Sequence, residues 1–273
     1  MNFHLYDAHN HLQDERLKPH LASIAAAVLR EPIAAMVVNG SCEADWPAVL
    51  ELARHYPQVI PSFGYHPWYV KERSPEWQQR LASYLEQTPA GVGEIGLDRW
   101  IKDHDLAQQE EVFIWQLRLA AERNLPASLH CLQAWGKLFE LLRAGPRPKC
   151  GFVLHSFGGP QEMIEPLAQL GAYFSLPGYF AHERKDRQRE AFRHVPSQRL
   201  LIETDAPDQL LPPERVQYPL LDADGKPLNH PANLGAVYRF AAELFEESLE
   251  VLATRVQENF QRLFGALQRR APR

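Results

Sequence analysis

The sequence predicts an α/β protein, a single (β/α)8 barrel of the TIM type with an extra C-terminal helix. Short apolar stretches rich in Val, Ile and Leu alternate with longer segments of helical period. The chain has 273 residues, a length typical of one such barrel. No GxGxxG motif follows an early strand, which disfavours a doubly wound open sheet, the alternative fold. We therefore expect residues 1–273 to form one barrel domain.

Eight segments are predicted as strands because each is short and apolar. In chain order they are residues 3–9, 34–40, 59–66, 91–98, 125–131, 151–157, 172–178 and 199–207. Eight strands that alternate with helices over about 250 residues form the pattern of a (β/α)8 barrel.

The segments between the strands are amphipathic and are predicted as helices. The clearest is 105–124, where Val112, Trp115 and Leu119 recur at positions i, i+3 and i+7. Further candidates are residues 45–56, 75–87, 134–144, 160–170 and 232–247.

Two more helices are predicted on other grounds. Residues 248–266 open with Ser248 as a plausible N-cap and carry Glu250 in the first turn, and they form the extra C-terminal helix. The charged segment 182–196 is interpreted as a solvated seventh helix with Phe192 facing inward. The alternative for this segment is a loop and helix that face the substrate.

Composition and charge are those of an ordinary globular protein. Hydrophobic residues make up 45% and charged residues 23%, enough for a sizeable core. The three cysteines have unrelated spacings and no CxxC pair, which predicts a reducing, cytoplasmic location. We expect no signal peptide and no membrane helix. The formal net charge of −5 disfavours broad coating of nucleic acid but not an enzyme that grips a few phosphates.

Two histidines close the first predicted strand, in the stretch YDAHNHL (6–12). Residues i and i+2 of a strand point to the same side, so His9 and His11 would present two imidazoles side by side. Such a pair alone fits structural histidines as well as metal ligands. Other strands also end on ionisable side chains, namely His66, Glu94, His130, His155 and Asp205.

These side chains would converge where the carboxyl ends of the barrel strands meet, the face on which barrel active sites are built. Burying four imidazoles and two carboxylates there costs free energy unless something pairs with them. Divalent ions offset this cost, and His, Glu and Asp are ligand types suited to Zn, Mn or Mg. We therefore expect two divalent metal ions per chain.

Metal-assisted hydrolysis is the chemistry that this donor set predicts. Glu94, on the fourth strand, is placed to bridge the two ions. The remaining ligands are His9, His11 and Asp205 for one ion, and His130 and His155 for the other. A water between the ions would have its pKa lowered towards about 7, and Asp205 would take its proton as general base. The residues alone leave open whether a P–O, C–N or C–O bond is cleaved.

Eight short motifs occur in order along almost the whole chain. They are DAHNHL (7–12), GYHP (64–67), GEIGLD (93–98), LPASLHC (125–131), VLHSF (153–157), LIETDAP (201–207), NHPANL (229–234) and TRVQENFQRLFG (254–265). Together they resemble the ordered motif set of TatD-family hydrolases, within the amidohydrolase superfamily. The resemblance implies a metal-dependent barrel deoxyribonuclease, commonly a 3′-to-5′ exonuclease.

The resemblance also implies roles for single residues. The metal ligands of the family fall on the six residues already chosen as ligands, and His66 is implied to lie beside the substrate phosphate. The family often has an arginine after the fifth strand where this chain has Leu132, and a serine where it has Gly158. Arg99 or Lys102 are candidates to supply the missing positive charge to the substrate.

Three functions compete at this point. The first is a nuclease that acts on single-stranded DNA or 3′ ends. The second is a metal-dependent ester or amide hydrolase, such as an aminoacyl-tRNA deacylase or a small-molecule phosphodiesterase, which the acidic balance and Leu132 favour slightly. The third, a metal-binding protein without catalysis, would not need all six ligands and His66. We expect no membrane and no obligate protein partner, and the long segment 208–231 is expected to shape the substrate entrance.

Overall fold

Eight parallel strands form the central sheet, which follows chain order from β1 to β8. The structure is a computed structural model and describes residues 3–268. The strands are β1 (Leu5–Asn10), β2 (Ile33–Asn39), β3 (Val59–Phe63), β4 (Gly91–Asp98), β5 (Ala127–Leu132), β6 (Phe152–Leu154), β7 (Ala172–Pro177) and β8 (Leu200–Glu203). All eight overlap the predicted segments, and the predicted barrel is confirmed.

One α-helix lies between each barrel strand and the next, and another follows β8. These helices are α1 (Leu21–Val28), α2 (Trp46–His55), α3 (Trp77–Gln87), α4 (Leu106–Arg123), α5 (Trp135–Ala144), α6 (Ile164–Gln169), α7 (Asp186–Arg193) and α8 (Leu234–Phe245). The extra helix α9 (Leu249–Phe264) is confirmed, and the Ser248 side chain accepts a hydrogen bond from the Val251 backbone as its N-cap. The charged segment forms α7, with Phe192 fully buried as predicted.

The sequence prediction missed two elements. Helix α1 has the sequence LASIAAAV, and so many alanines leave little contrast between an apolar and a polar face. A small antiparallel hairpin, β9 (Leu220–Leu221) with β10 (Pro227–Leu228), lies within the long segment after β8. Strands of two residues are too short to show an alternating pattern.

Side chains help to join β1 to β8, the first and last strands of the barrel. The Tyr238 hydroxyl, from α8, accepts a hydrogen bond from the Tyr6 N–H and donates one to the Tyr6 carbonyl, both at 3.0 Å. The backbone N–H and the hydroxyl of Thr204 both donate to the Asp7 carboxyl group. The bonds of Tyr238 fasten α8 to β1, and those of Thr204 hold the ends of β1 and β8 side by side. All of them pair polar groups that would otherwise be buried without partners.

The barrel strands are buried over nearly their whole length, since helices cover their outer side and side chains fill the interior. The side chains at the carboxyl ends of these strands are therefore held on rigid backbone. None of the helices within residues 3–268 is both long enough and apolar enough to cross a membrane.

Candidate metal centre

The structure brings together seven of the side chains that the sequence singled out. They come from β1 or the residue after it, from the loop after β3, from β4 and β5, and from the loops after β6 and β8: His9, His11, His66, Glu94, His130, His155 and Asp205. All except the fully buried His9 line a cavity of about 720 Å³ at the carboxyl ends of the strands.

Glu94 lies at the middle of this cluster. Three imidazoles surround its Oε1 atom: His155 Nε2 at 2.8 Å, His130 Nδ1 at 3.0 Å and His66 Nε2 at 3.2 Å. The side chain is only 2% exposed. Glu94 reaches this position from β4, which lies between β3 and β5 in the sheet.

The second oxygen of Glu94 faces the histidine pair of β1. Its Oε2 atom lies 3.1 Å from His11 Nε2 and 3.3 Å from His9 Nε2. Asp205 Oδ1 lies 3.7 Å from each of the same two nitrogens. The two oxygens of Glu94 thus face two separate groups of imidazoles, which is the arrangement expected of a bridging carboxylate.

The donor atoms fit divalent cations. His9 Nε2 and His11 Nε2 face each other at 3.2 Å, and His130 Nδ1 and His155 Nε2 do so at 3.1 Å. Among residues 3–268, the buried Oε1 of Glu94 and Nδ1 of His155 have no hydrogen-bond partner of acceptable geometry. Imidazole nitrogens and carboxylate oxygens are ligands that Zn, Mn and related ions accept.

The local charge also favours cations. Burial alone would lower the pKa of His11, but hydrogen bonding to Glu94 and the charges of Glu94 and Asp205 outweigh it and raise the pKa to about 10. Burial alone would also lower the pKa of His130, but hydrogen bonds to Asp98 and Glu94 outweigh it and raise the pKa to about 9. The cluster therefore attracts positive charge on both sides of Glu94.

The two acidic groups differ in basicity. Burial alone would raise the pKa of Glu94, but the imidazoles of His155, His66 and His9 outweigh it and hold the pKa well below its usual value. Burial is the main reason why the pKa of Asp205 rises to about 6. At neutral pH both carboxylates are mainly ionised, and Asp205 is the stronger base.

Hydrogen bonds to the far ring nitrogens orient two of the imidazoles. His11 Nδ1 donates to the Asn39 carbonyl at 2.8 Å, so Nε2 is the nitrogen that faces Glu94. His130 Nε2 donates to Asp98 Oδ2 at 2.9 Å, so Nδ1 faces Glu94. An outer acceptor of this kind commonly fixes the tautomer and orientation of a metal-binding histidine.

His66 is oriented in the opposite sense. Its Nδ1 accepts a hydrogen bond from the Trp68 backbone N–H at 3.1 Å, which leaves the ring proton on Nε2, towards Glu94. Burial is the main cause that lowers the pKa of His66, to about 4, so the ring is neutral at pH 7. His66 therefore presents an N–H donor to the cavity, whereas a metal ligand must present a lone pair.

Two buried acids support the cluster from outside, and the sequence analysis gave neither of them a role. Asp98, at the end of β4, accepts hydrogen bonds from His130 and from the Trp68 indole. Glu203, at the end of β8, accepts hydrogen bonds from the backbone and hydroxyl of Ser156, next to His155. Alternation could have revealed both, because Asp98 lies four residues after Glu94 and Glu203 two residues before Asp205.

Other predicted contacts are not brought to the centre. Arg99 and Lys102 are exposed, and neither is among the described residues that line the cavity. Trp100, between them in the sequence, does line it. The role of Arg99 in substrate binding stays a prediction. Only the first residues of the long segment 208–231, Asp208 and Gln209, line the cavity.

Comparison with known proteins gives one consistent result. The sequence model of a family described as TatD related DNase matches residues 6–265. A protein named 3′-5′ ssDNA/RNA exonuclease TatD, from Escherichia fergusonii, is 31% identical over 236 residues, which cover 84% of this chain and 87% of that protein. YjjV, an uncharacterized metal-dependent hydrolase from Escherichia coli, is 30% identical over 84% of this chain and 86% of its own length. The crystal structure of E. coli YjjV, a TatD homologue, superposes with a TM-score of 0.86 at 28% identity and covers 96% of this chain and 98% of that one.

Proposed function

This chain belongs to the TatD-related DNase family, and we propose that it is a divalent-metal-dependent hydrolase that removes nucleotides from the 3′ end of single-stranded DNA. The observation that carries the proposal is the cluster of five imidazoles and Asp205 around Glu94, which opens to a cavity of about 720 Å³. The relative named as an ssDNA/RNA exonuclease supports a phosphodiester substrate.

Six side chains would hold the metal ions in this proposal. Glu94 would bridge two ions of Mg, Mn or Zn, with the other ligands in two sets: His9, His11 and Asp205, and His130 and His155. Divalent ions bound there supply Lewis acidity, which stabilises negative charge on phosphoryl oxygens and makes a water molecule more acidic.

Asp205 is proposed as the general base. Burial raises the pKa of its carboxyl group to about 6, so the group is mainly ionised at neutral pH and can accept a proton. Asp205 is also held in place, because its backbone N–H donates to the His9 carbonyl at 2.9 Å and its φ of 52° turns the chain sharply after β8. The base would take a proton from the attacking water as the phosphodiester bond breaks.

His66 is proposed to bind the substrate phosphate. Its neutral ring carries the proton on Nε2, inside the cavity, and can donate a hydrogen bond to a phosphate oxygen. A donor that stays neutral would add no positive charge to a centre that holds cations. This assignment separates His66 from the four histidines proposed as ligands.

In this proposal residues 1–273 form one hydrolase domain that works in the cytoplasm. The sheet runs continuously from β1 to β8, and α9 packs against both of these strands. The three cysteines, Cys42, Cys131 and Cys150, are all free thiols, which suits a reducing compartment.

The proposal is tested with a 5′-labelled single-stranded oligonucleotide and metal-stripped protein to which Mg, Mn or Zn is returned. We expect stepwise shortening from the 3′ end with at least one metal. Asp205→Ala should slow it by about 10²- to 10⁴-fold. Asp208→Ala is the matched control, since its carboxylate borders the same cavity but is 62% exposed and pairs with Arg16. Hydrolysis of small esters without any shortening of DNA would instead identify the protein as a metal-dependent ester or amide hydrolase.

A further inference from the structure

An apolar surface borders one side of the candidate metal centre. Within residues 3–268, three large apolar side chains are both exposed and part of the cavity lining: Trp68 is 47% exposed, Trp100 67% and Leu132 36%. We call these three residues the aromatic shelf. Indole rings are normally at least partly covered, so two exposed ones beside a polar centre indicate a surface that binds a ligand.

The shelf is held in position by Asp98. The Trp68 indole N–H donates to Asp98 Oδ2 at 2.6 Å, and its ring packs edge-to-face on His66 with centroids 5.0 Å apart. The Trp100 backbone N–H donates to Asp98 Oδ1 at 2.7 Å. One edge of Trp68 is thus anchored while much of the ring stays exposed, an arrangement that costs little entropy when a flat group stacks on it.

The opposite side of the mouth carries a cation. The shelf comes from the ends of β3, β4 and β5, which are neighbours in the barrel, whereas Lys185 follows β7, four strands away from β3. Lys185 lines the same cavity, and its ammonium group lies 4.6 Å from the centre of the Tyr179 ring. The mouth therefore offers a flat apolar wall on one side and a positive charge on the other.

We infer that nucleobases at the 3′ end of single-stranded nucleic acid stack on the aromatic shelf, an inference that rests on the proposed function. A nucleotide strand matches the mouth because it combines flat bases with a charged backbone. Leu132 extends the apolar wall at a position where the family often has an arginine, which makes this wall better suited to the flat face of a base. Stacking on aromatic side chains tolerates every base, so the subsite would bind 3′ ends without strong sequence preference.

The test compares two 5′-labelled oligonucleotides of equal length, one of thymidine nucleotides throughout and one with abasic residues at its last three positions. Wild-type enzyme should process the abasic end with kcat/KM lower by about 5- to 150-fold. Trp100→Ala should process the intact end with a similarly lowered kcat/KM and the abasic end at the wild-type value. Trp68→Phe, which keeps a ring but loses the bond to Asp98, should stay closer to wild type than Trp68→Ala on the intact end.

Val251→Ala is the matched control, because Val251 is 55% exposed on α9 and is not among the described residues that line the cavity. Equal losses of Trp100→Ala on both oligonucleotides, or no loss on either, would overturn the inference while leaving the nuclease intact. If wild type shortens neither oligonucleotide, the proposed function fails. The shelf is then tested alone through quenching of tryptophan fluorescence by the intact oligonucleotide, which Trp100→Ala should diminish and the abasic oligonucleotide should not reproduce. Equal quenching by both oligonucleotides would overturn the inference.

Discussion

Asp98→Asn is the perturbation that examines most closely how the candidate centre is organised. Both oxygens of Asp98 accept hydrogen bonds, Oδ2 from His130 Nε2 and the Trp68 indole, Oδ1 from the backbone N–H groups of Trp100 and Ile101. These bonds outweigh burial and lower the pKa of Asp98 to about 2. An asparagine has only one acceptor oxygen, so one of the two pairs of donors must face an NH₂ group.

Either orientation of the asparagine has a consequence. If its oxygen stays on His130, the loop that carries Trp100 loses its two bonds and the ring of His130 keeps its orientation. If the amide turns round, His130 Nε2 must accept a hydrogen bond, and the ring proton moves to Nδ1, 3.0 Å from Glu94 Oε1. The nitrogen proposed as metal ligand then no longer has a free lone pair.

The loss of an outer acceptor from a metal-binding histidine costs about 10- to 100-fold in affinity, or about 1.4–2.8 kcal/mol. We expect this loss when metal-stripped Asp98→Asn competes with a fluorescent chelator for Zn²⁺ or Mn²⁺. Asp105→Asn is the control, because Asp105 caps α4 through Gln108 and is not among the described residues that line the cavity. Wild-type affinity in both Asp98→Asn and Asp98→Ala, the second of which leaves His130 Nε2 without this acceptor, would refute the role given to Asp98.

Three further predictions concern stability. Tyr238→Phe removes both bonds to the Tyr6 backbone and should lower the free energy of unfolding by about 1–3 kcal/mol in urea. Tyr84→Phe, whose hydroxyl makes no hydrogen bond within residues 3–268, should leave the free energy of unfolding unchanged, and equal losses would contradict the role given to the bonds between α8 and β1. Burial would raise the pKa of Glu43, but hydrogen bonds, chiefly from Ser74, outweigh it and lower it. The Tm deficit of Glu43→Gln should therefore be full above about pH 4.5 and shrink as the pH falls further, and a deficit independent of pH would exclude the carboxylate as its cause. Returning Mn²⁺ to metal-stripped wild type at about 100 times Kd should raise the Tm by about 5–10 °C, and no rise with any divalent ion would argue against a metal site.

The barrel was predictable because its signals are local and repeated. Each strand lies in a short segment rich in apolar residues, and β4 matched its predicted bounds, 91–98, at both ends. Helix α1 escaped prediction because its alanines give no contrast between faces. The bond between Tyr238 and Tyr6 joins residues 232 positions apart, and no pattern within the sequence marks such a pair.

The cluster was predictable because strand ends of a barrel must converge. His9, His130 and Asp205 could be placed together from their positions alone, although they are spread along the chain. The orientation of the imidazole rings could not be predicted. The tautomer of His66, for example, depends on the hydrogen bond that the Trp68 backbone N–H donates to its Nδ1. The exposure of Trp68 and Trp100 was equally out of reach, because it depends on how two loops pack around Asp98.

The most direct test measures bound metal and nuclease activity on the same samples. Metal-stripped protein is titrated with Mn²⁺, passed through a desalting column, and assayed for metal content and for shortening of a 5′-labelled single-stranded oligonucleotide. We expect the rate to rise with bound metal until both saturate near two ions per chain, and Glu94→Gln to lower both the bound metal and the rate. Full activity in the metal-stripped protein, or bound metal without any shortening of the DNA, would contradict this expectation.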